Sequence, residues 1–244
     1  MRRQDKDSEE FNRSISKTFA ELSTPLVADA CVRLKVPLRI APPGIQPLQH
    51  GMKIAGMALP VKHYGSVDIF LEGVRNSKNG DIMVIDNGGR MDEGPVGDLT
   101  VLEMRAVGIS GAVVWGAHRD GPELEKIGLP LFSYGSYPAG PTVLRARPID
   151  ALESALFGEE LVTRQDVVFG DSDGVVFVAS DRVSYVLDMA QSIGQTERRQ
   201  VEAIQEGKTL SEQLRFDEYL KKREKDPSYT FRQHLRSIGG AIEE

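Results

Sequence analysis

A chain of 244 residues with 40% hydrophobic content is long enough for one large core with extensions. Its 36 acidic against 30 basic residues, a net charge of −6, argue against a dedicated nucleic-acid binder. The one cysteine, Cys31, excludes an intrachain disulfide and a thiolate metal cluster. No apolar run approaches the ~18 residues of a membrane span, and no apolar signal region follows Met1-Arg2-Arg3, so a cytoplasmic location is expected.

In chain order, residues 1–22 are charged and then weakly helical, with Phe11, Ile15, Phe19 and Leu22 spaced for a helix lying loosely on the core. Ser23 or Thr24 can cap the next helix, with Pro25 at its first position and Leu26, Ala30 and Leu34 on one face. Cys31 sits in that apolar pattern and reads as a packed thiol. Val36 to Gln49 reads as irregular chain with short strand pieces, Lys53 to Val61 as a strand, and Asp68 to Asn76 as an amphipathic helix. His63 lies between these elements and reads as a surface or packing residue, since no second His follows at metal-ligand spacing.

Ile82 to Ile85 is a short apolar run that predicts a buried strand, and Asp86-Asn87-Gly88-Gly89 predicts a turn. Gly94 and Gly97 then precede a helical pattern through Leu99, Leu102 and Met104. A glycine-rich loop that opens a helix can aim backbone N–H groups at an anion. It lacks the ending of a P-loop and the spacing of a dinucleotide fingerprint, so a carboxylate is a better ligand than a polyphosphate. Ala112 to Trp115 predicts a second buried strand, closed by Gly116-Ala117, after which Arg119 and Asp120 stand side by side. Ligands of open α/β sheets favour the region just outside strand ends. Arg119 offers a planar fork for a carboxylate or enolate oxygen, and Asp120 offers hard oxygens for Mg²⁺ or Mn²⁺. The bland alternative is a surface ion pair at the start of the helix Pro122 to Ile127. His118, beside the pair, reads as a packed, hydrogen-bonded imidazole.

Leu131 to Gly135 and Val143 to Arg147 read as strands. Val167-Val168-Phe169 and Val175 to Val178 flank the acidic turn Gly170-Asp-Ser-Asp-Gly174, which lacks the spacing and terminal Glu of an EF-hand and predicts a hairpin or bulge turn. From Asp181 the chain turns helical and carries Glu197, which the residues alone leave as either a solvated carboxylate or a site residue. Residues 208–244 are charged, helical in patches, and broken at Asp226-Pro227.

The order Gly80-Asp81, Asp86-Asn87-Gly88-Gly89, Gly97-Asp98-Leu99 and Gly111 through Arg119-Asp120 resembles the RraA-like family. Ser23-Thr-Pro-Leu-Val-Ala-Asp-Ala30, Gly56-Met-Ala58 and Gly170-Asp-Ser-Asp-Gly-Val-Val176 match it too. The resemblance implies an α/β fold of the swivelling β/β/α type, with a mixed sheet and helical terminal extensions. It divides the chain into an extension at 1–22, a catalytic domain at 23–207 and a charged arm at 208–244. It implies a class II pyruvate aldolase that cleaves 4-hydroxy-4-methyl-2-oxoglutarate and related 4-hydroxy-2-oxo acids and decarboxylates oxaloacetate. The competing implication is a protein regulator that binds and inhibits ribonuclease E. On the enzyme reading Asp120 anchors Mg²⁺ or Mn²⁺ and Arg119 binds the enolate. The backbone of Gly94, Gly97, Asp98 and Leu99 holds the substrate, and Asp98 and Glu197 order water for proton transfer. Glu197 is then expected to come from a neighbouring subunit of a homotrimer or homohexamer. Without the resemblance, periodicity alone predicts only an α/β protein with a mixed sheet.

Overall fold

The structure is a computed structural model that describes residues 3–239; the outermost parts of both expected extensions, 1–2 and 240–244, lie outside the described residues. The chain opens with α1 (Arg3–Phe19), α2 (Thr24–Leu34) and two short strands, β1 (Arg39–Ile40) and β2 (Gln46–Pro47). Strand and helix then alternate: β3 (Ile54–Lys62), α3 (Asp68–Arg75), β4 (Ile82–Arg90), α4 (Asp98–Ala106), β5 (Gly111–Gly116), α5 (Gly121–Ile127) and β6 (Leu131–Ser133). Two antiparallel hairpins follow, β7 (Ser154–Phe157) with β8 (Glu160–Thr163), and β9 (Asp166–Asp171) with β10 (Gly174–Ala179). The long α6 (Val183–Gln205) leads to α7 (Leu210–Gln213), α8 (Phe216–Lys225) and α9 (Phe231–Ile238). No described helix is long and apolar enough to cross a membrane.

The main sheet has eight strands in the order β1-β10-β9-β3-β4-β5-β6-β2. β3 to β6 run parallel, joined by helical crossovers, while β9 pairs antiparallel with β3. This is the expected α/β architecture with a mixed sheet. The parallel strands are near-continuous apolar runs because both faces are covered. Alternate residues of β3 show the layers. Leu59 and Val61 join Met83, Ile85 and Val114 under α3, α4 and α5. Ala55 and Met57 join Val167, Phe169 and Val176 under α1, α2 and α6. Ile54 and Ala58 face the other way, with Val84, Val113 and Phe177, into a core closed by Ala155, Phe157 and Val162 of the β7–β8 hairpin.

The details differ from the sequence expectation in four places. Helix α1 is not loosely packed: its Ile15 and Phe19, with Leu22 just beyond its end, are buried in the same cluster as α2 and α6. Asn12 is also buried, donating to Asn79 O and Asp81 Oδ1 at 3.0 Å each and accepting from Met57 N–H at 2.8 Å. Strand β4 runs on through the expected turn at Asp86 to Gly89, with a register shift against β5 between Asp86 and Arg90. Gly88 and Gly89 absorb that bulge at φ 65° and 69°. Residues 143–147 form no strand: Arg145 N–H donates to Tyr64 O, while Leu144 is 70% exposed. Finally, the β7–β8 hairpin lies in a stretch where periodicity gave no strand.

Two local expectations agree with the structure. Cys31 is fully buried, which pushes its thiol up to about 11. The acidic turn is the tip of the β9–β10 hairpin. Its Asp171 caps α2 across the fold, because the Ser23 side chain does not. Asp171 accepts from Thr24 N–H at 2.7 Å, Thr24 Oγ1 at 2.6 Å and Asp173 N–H at 3.0 Å. Asp171→Ala strands these buried donors, at a cost of about 3 kcal/mol. Thermal unfolding should fall by roughly 5–10 °C, and less in Asp171→Asn, as a melting curve would show.

Candidate active site

The site forms where the carboxyl ends of β4 and β5 lie together and feed the loops that start α4 and α5. The two loops are laced to each other. Arg119 N–H donates to Val96 O at 2.9 Å, and Gly94 N–H donates to Ala139 O at 2.8 Å. Asp120 adopts a left-handed backbone at φ 61°, which Asp tolerates better than most residues. Its Oδ2 accepts from Asp98 N–H at 3.3 Å, at the N-terminus of α4, and lies 3.5 Å from Arg119 Nε. Two glycines make this approach possible. A Cβ on Gly97 would stand 2.2 Å from Asp120 Oδ2, and one on Gly94 would stand 2.7 Å from His118 O. The Arg119 and Asp120 side chains stay 45% and 36% exposed, so both can reach a ligand.

Arg119 and Asp98 line a cavity of about 330 Å³ together with His63, Ser66, Thr100 and Pro141. Leu99 N–H, at the first turn of α4, donates to Asp98 Oδ1 at 2.7 Å. Gly97 N–H is held by Thr100 Oγ1 at 3.2 Å. The amides of Gly94, Gly97, Asp98 and Leu99 are therefore each engaged within the chain, the one at Leu99 by the side chain of its own neighbour. Arg119, Asp120, Asp98, Leu99, Gly94 and Gly97 are thus brought together. Glu197 is not among them within one chain: it is exposed on α6, whose buried residues pack with α1 and α2.

The donor set is compatible with one class of metal. Among the described residues no group of three or more His, Cys, Asp or Glu side chains could hold an ion. One exposed carboxylate at Asp120, with room around it, fits a hard cation that keeps most of its water, as Mg²⁺ does. It does not fit a zinc cage built by one chain.

Two histidines flank the site. His118 is packed as expected, its Nδ1 2.7 Å from Ser133 Oγ, and burial holds its pKa down against the pull of Asp120. His63 is more than the packing residue expected from sequence. It follows the last residue of β3 and is 8% exposed. Its Nδ1 lies 2.8 Å from Asn87 Oδ1 and 3.8 Å from Glu93 Oε1, and its ring stacks on Phe70 at 5.4 Å. Buried Glu93 accepts from Arg145 Nη2 at 2.8 Å and lies 3.3 Å from Arg90 Nε. The missed signal was position: His63 stands just outside a strand's carboxyl end, like Arg119.

Several known proteins resemble this chain. DlpA of Legionella pneumophila is 31% identical over 184 residues, covering 71% of this chain; the match spans 29% of DlpA, so this chain corresponds to under a third of that relative. A putative 4-hydroxy-4-methyl-2-oxoglutarate aldolase of Halalkalibacterium halodurans is 27% identical over 148 residues, covering 60% of this chain and 70% of the relative. The crystal structure of an uncharacterized protein from Pseudomonas syringae pv. tomato superposes with a TM-score of 0.70 at 27% identity, covering 82% of this chain and 96% of the other. Residues 24–177, which carry both loops of the site, match the RraA-like family, described as Aldolase/RraA, and the chain belongs to that family.

Proposed function

We propose that the chain is a divalent-cation-dependent pyruvate aldolase. It cleaves 4-hydroxy-2-oxo acids of the 4-hydroxy-4-methyl-2-oxoglutarate type and decarboxylates oxaloacetate. One observation carries the reading: a guanidinium and a carboxylate, Arg119 and Asp120, are fixed side by side where two parallel strands end, and Arg119 lines the cavity. A putative aldolase among the relatives supports it.

Both reactions leave the enolate of pyruvate, whose oxygen carries the developing charge. Mg²⁺ or Mn²⁺ held by Asp120 would supply Lewis-acid polarisation of the 2-oxo group. Arg119 directs its planar fork at the enolate oxygen. The substrate carboxylate takes the Leu99 N–H, with the Gly94 to Gly97 loop behind it. That exchange releases Asp98 Oδ1, which then orders water beside the reacting carbon. Glu197, exposed on α6 of a second copy in a trimer or hexamer, completes the water shell.

The competing reading within the family is a regulator that binds ribonuclease E through its surface. Exposed Leu144 and Ile149 on the loop after β6 would serve such a contact. A pyruvate-release assay over 4-hydroxy-2-oxo acids and oxaloacetate, with and without Mg²⁺, separates the two, since the regulator reading predicts no turnover.

Asp120→Ala should abolish Mg²⁺-dependent pyruvate release with circular dichroism unchanged. Mixing it with Glu197→Ala and reassembling the oligomers should restore part of the activity, because some sites then hold both native residues. Full activity of Asp120→Ala at saturating Mg²⁺ would contradict the metal role, and no rescue in verified mixed oligomers would contradict the shared site. Arg119→Lys should lower kcat by about 10²-fold, since a point charge replaces the bidentate fork. A change confined to KM would mean that Arg119 binds the ground state only.

A further inference from the structure

Cleavage needs a group that takes the proton of the substrate's C4 hydroxyl and delivers one to C3 of the enolate. Resting on the aldolase reading above, we propose that His63 is this group and that its Nε2 carries the proton from one atom to the other. In the step, Nε2 accepts the hydroxyl proton, and the electron pair of the broken O–H bond becomes the second bond of the new C4 carbonyl. The C3–C4 bond breaks, and its electron pair becomes the enolate. The imidazolium then returns the proton to C3, giving pyruvate and a ketone or aldehyde, with no proton gained or lost overall.

Four observations place His63 in this role. It lines the same cavity as Arg119 and Asp98. Its tautomer is set by its neighbours: Nδ1 faces two oxygens, Asn87 Oδ1 at 2.8 Å and Glu93 Oε1 at 3.8 Å, so Nδ1 carries the proton. Nε2 is left with its lone pair and makes no hydrogen bond among the described residues. The ring is held flat on Phe70, 6° from parallel, its side chain is 1% exposed, and its own backbone N–H is tied to Asp86 O at 2.9 Å, so the imidazole is fixed without further ordering.

The surrounding charges suit a base that starts neutral. Burial lowers the His63 pKa, and Arg90 and Arg145 push the same way, while the Asn87 hydrogen bond and Glu93 oppose them. The imidazole is therefore unprotonated at neutral pH, and Glu93 is close enough to stabilise the imidazolium once it forms. Asp98, the other side chain lining the cavity that can accept a proton, holds the Leu99 N–H in the free chain and, once a substrate carboxylate displaces it, orders water on the reading above.

The test combines kinetics with NMR on the whole protein. His63→Gln keeps a polar atom near Nε2 but cannot exchange a proton. It should lower kcat by about 10²–10³-fold with little change in KM. The native enzyme should show a fall in kcat/KM at acidic pH, and that fall should disappear in His63→Gln. Asn87→Asp places a carboxylate at Nδ1 and should move that acidic limb to higher pH, a shift that a purely structural role would not produce. Long-range ¹H–¹⁵N spectra of the native protein should show His63 as the Nδ1–H tautomer. Oxalate, an enolate mimic, should perturb its Nε2 resonance when Mg²⁺ is present. Native kcat and an unchanged acidic limb in His63→Gln would overturn the assignment, as would an unmoved limb in Asn87→Asp or an Nε2–H tautomer. If His63→Gln does not fold, Asn87→Asp and the spectra decide. A native enzyme that releases no pyruvate from any 4-hydroxy-2-oxo acid contradicts the aldolase reading and the His63 role together. An active native enzyme with an equally active His63→Gln contradicts the His63 role alone.

Discussion

The site depends on the close approach of two loops that start different helices. Gly97 has no side chain, so the Asp120 carboxylate can lie against the first turn of α4 and accept from Asp98 N–H. The Arg119 N–H bond to Val96 O fixes the same approach from the other side. A positive helix end therefore helps hold a carboxylate beside a guanidinium without burying either charge. Burying that pair would raise the desolvation cost above the attraction between the charges. Left half-exposed, the two groups keep free oxygens and N–H groups for a ligand. The arrangement trades stability for reach.

That approach is available because the scaffold beneath it is rigid. β3, β4 and β5 are apolar on both faces, so their ends are held by packing from two layers. The loops at their carboxyl ends can then carry glycine, charge and a left-handed Asp without loosening the fold. The β7–β8 hairpin matters here because it covers the second face. Asp86, where β4 begins its bulge, accepts from Leu156 N–H at 2.9 Å, tying that hairpin to the strand that leads into the site. Helix α1 does the same job at the opposite end of the sheet through Asn12.

The sequence made visible what is local and periodic. The runs 82–85 and 112–115 announced buried strands, and the adjacent Arg119 and Asp120 announced chemistry at a strand end. Features that depend on distant partners were hidden. Asn12 looks like one polar residue on a charged helix, and only the fold brings it to Met57, Asn79 and Asp81. Asp171 looked like part of an acidic turn and proved to be the cap of a helix about 147 residues earlier in sequence. Val143 to Arg147 has strand-like composition but finds no partner strand, so it stays irregular. His63 was discounted for lacking metal-ligand spacing, a rule that does not bear on a proton carrier. Glu197 reads the same in sequence and in one chain, because its proposed role belongs to an assembly of several.

The central claim is that this cavity stabilises the enolate of pyruvate. Proton NMR of pyruvate in D₂O tests it without any aldol substrate. The account predicts that the native protein with Mg²⁺ exchanges the pyruvate methyl protons for deuterium well above the rate of Mg²⁺ in buffer alone. Oxalate should block the exchange by occupying the enolate's place. Exchange no faster than the buffer control, with the protein folded and Mg²⁺ saturating, would contradict the claim.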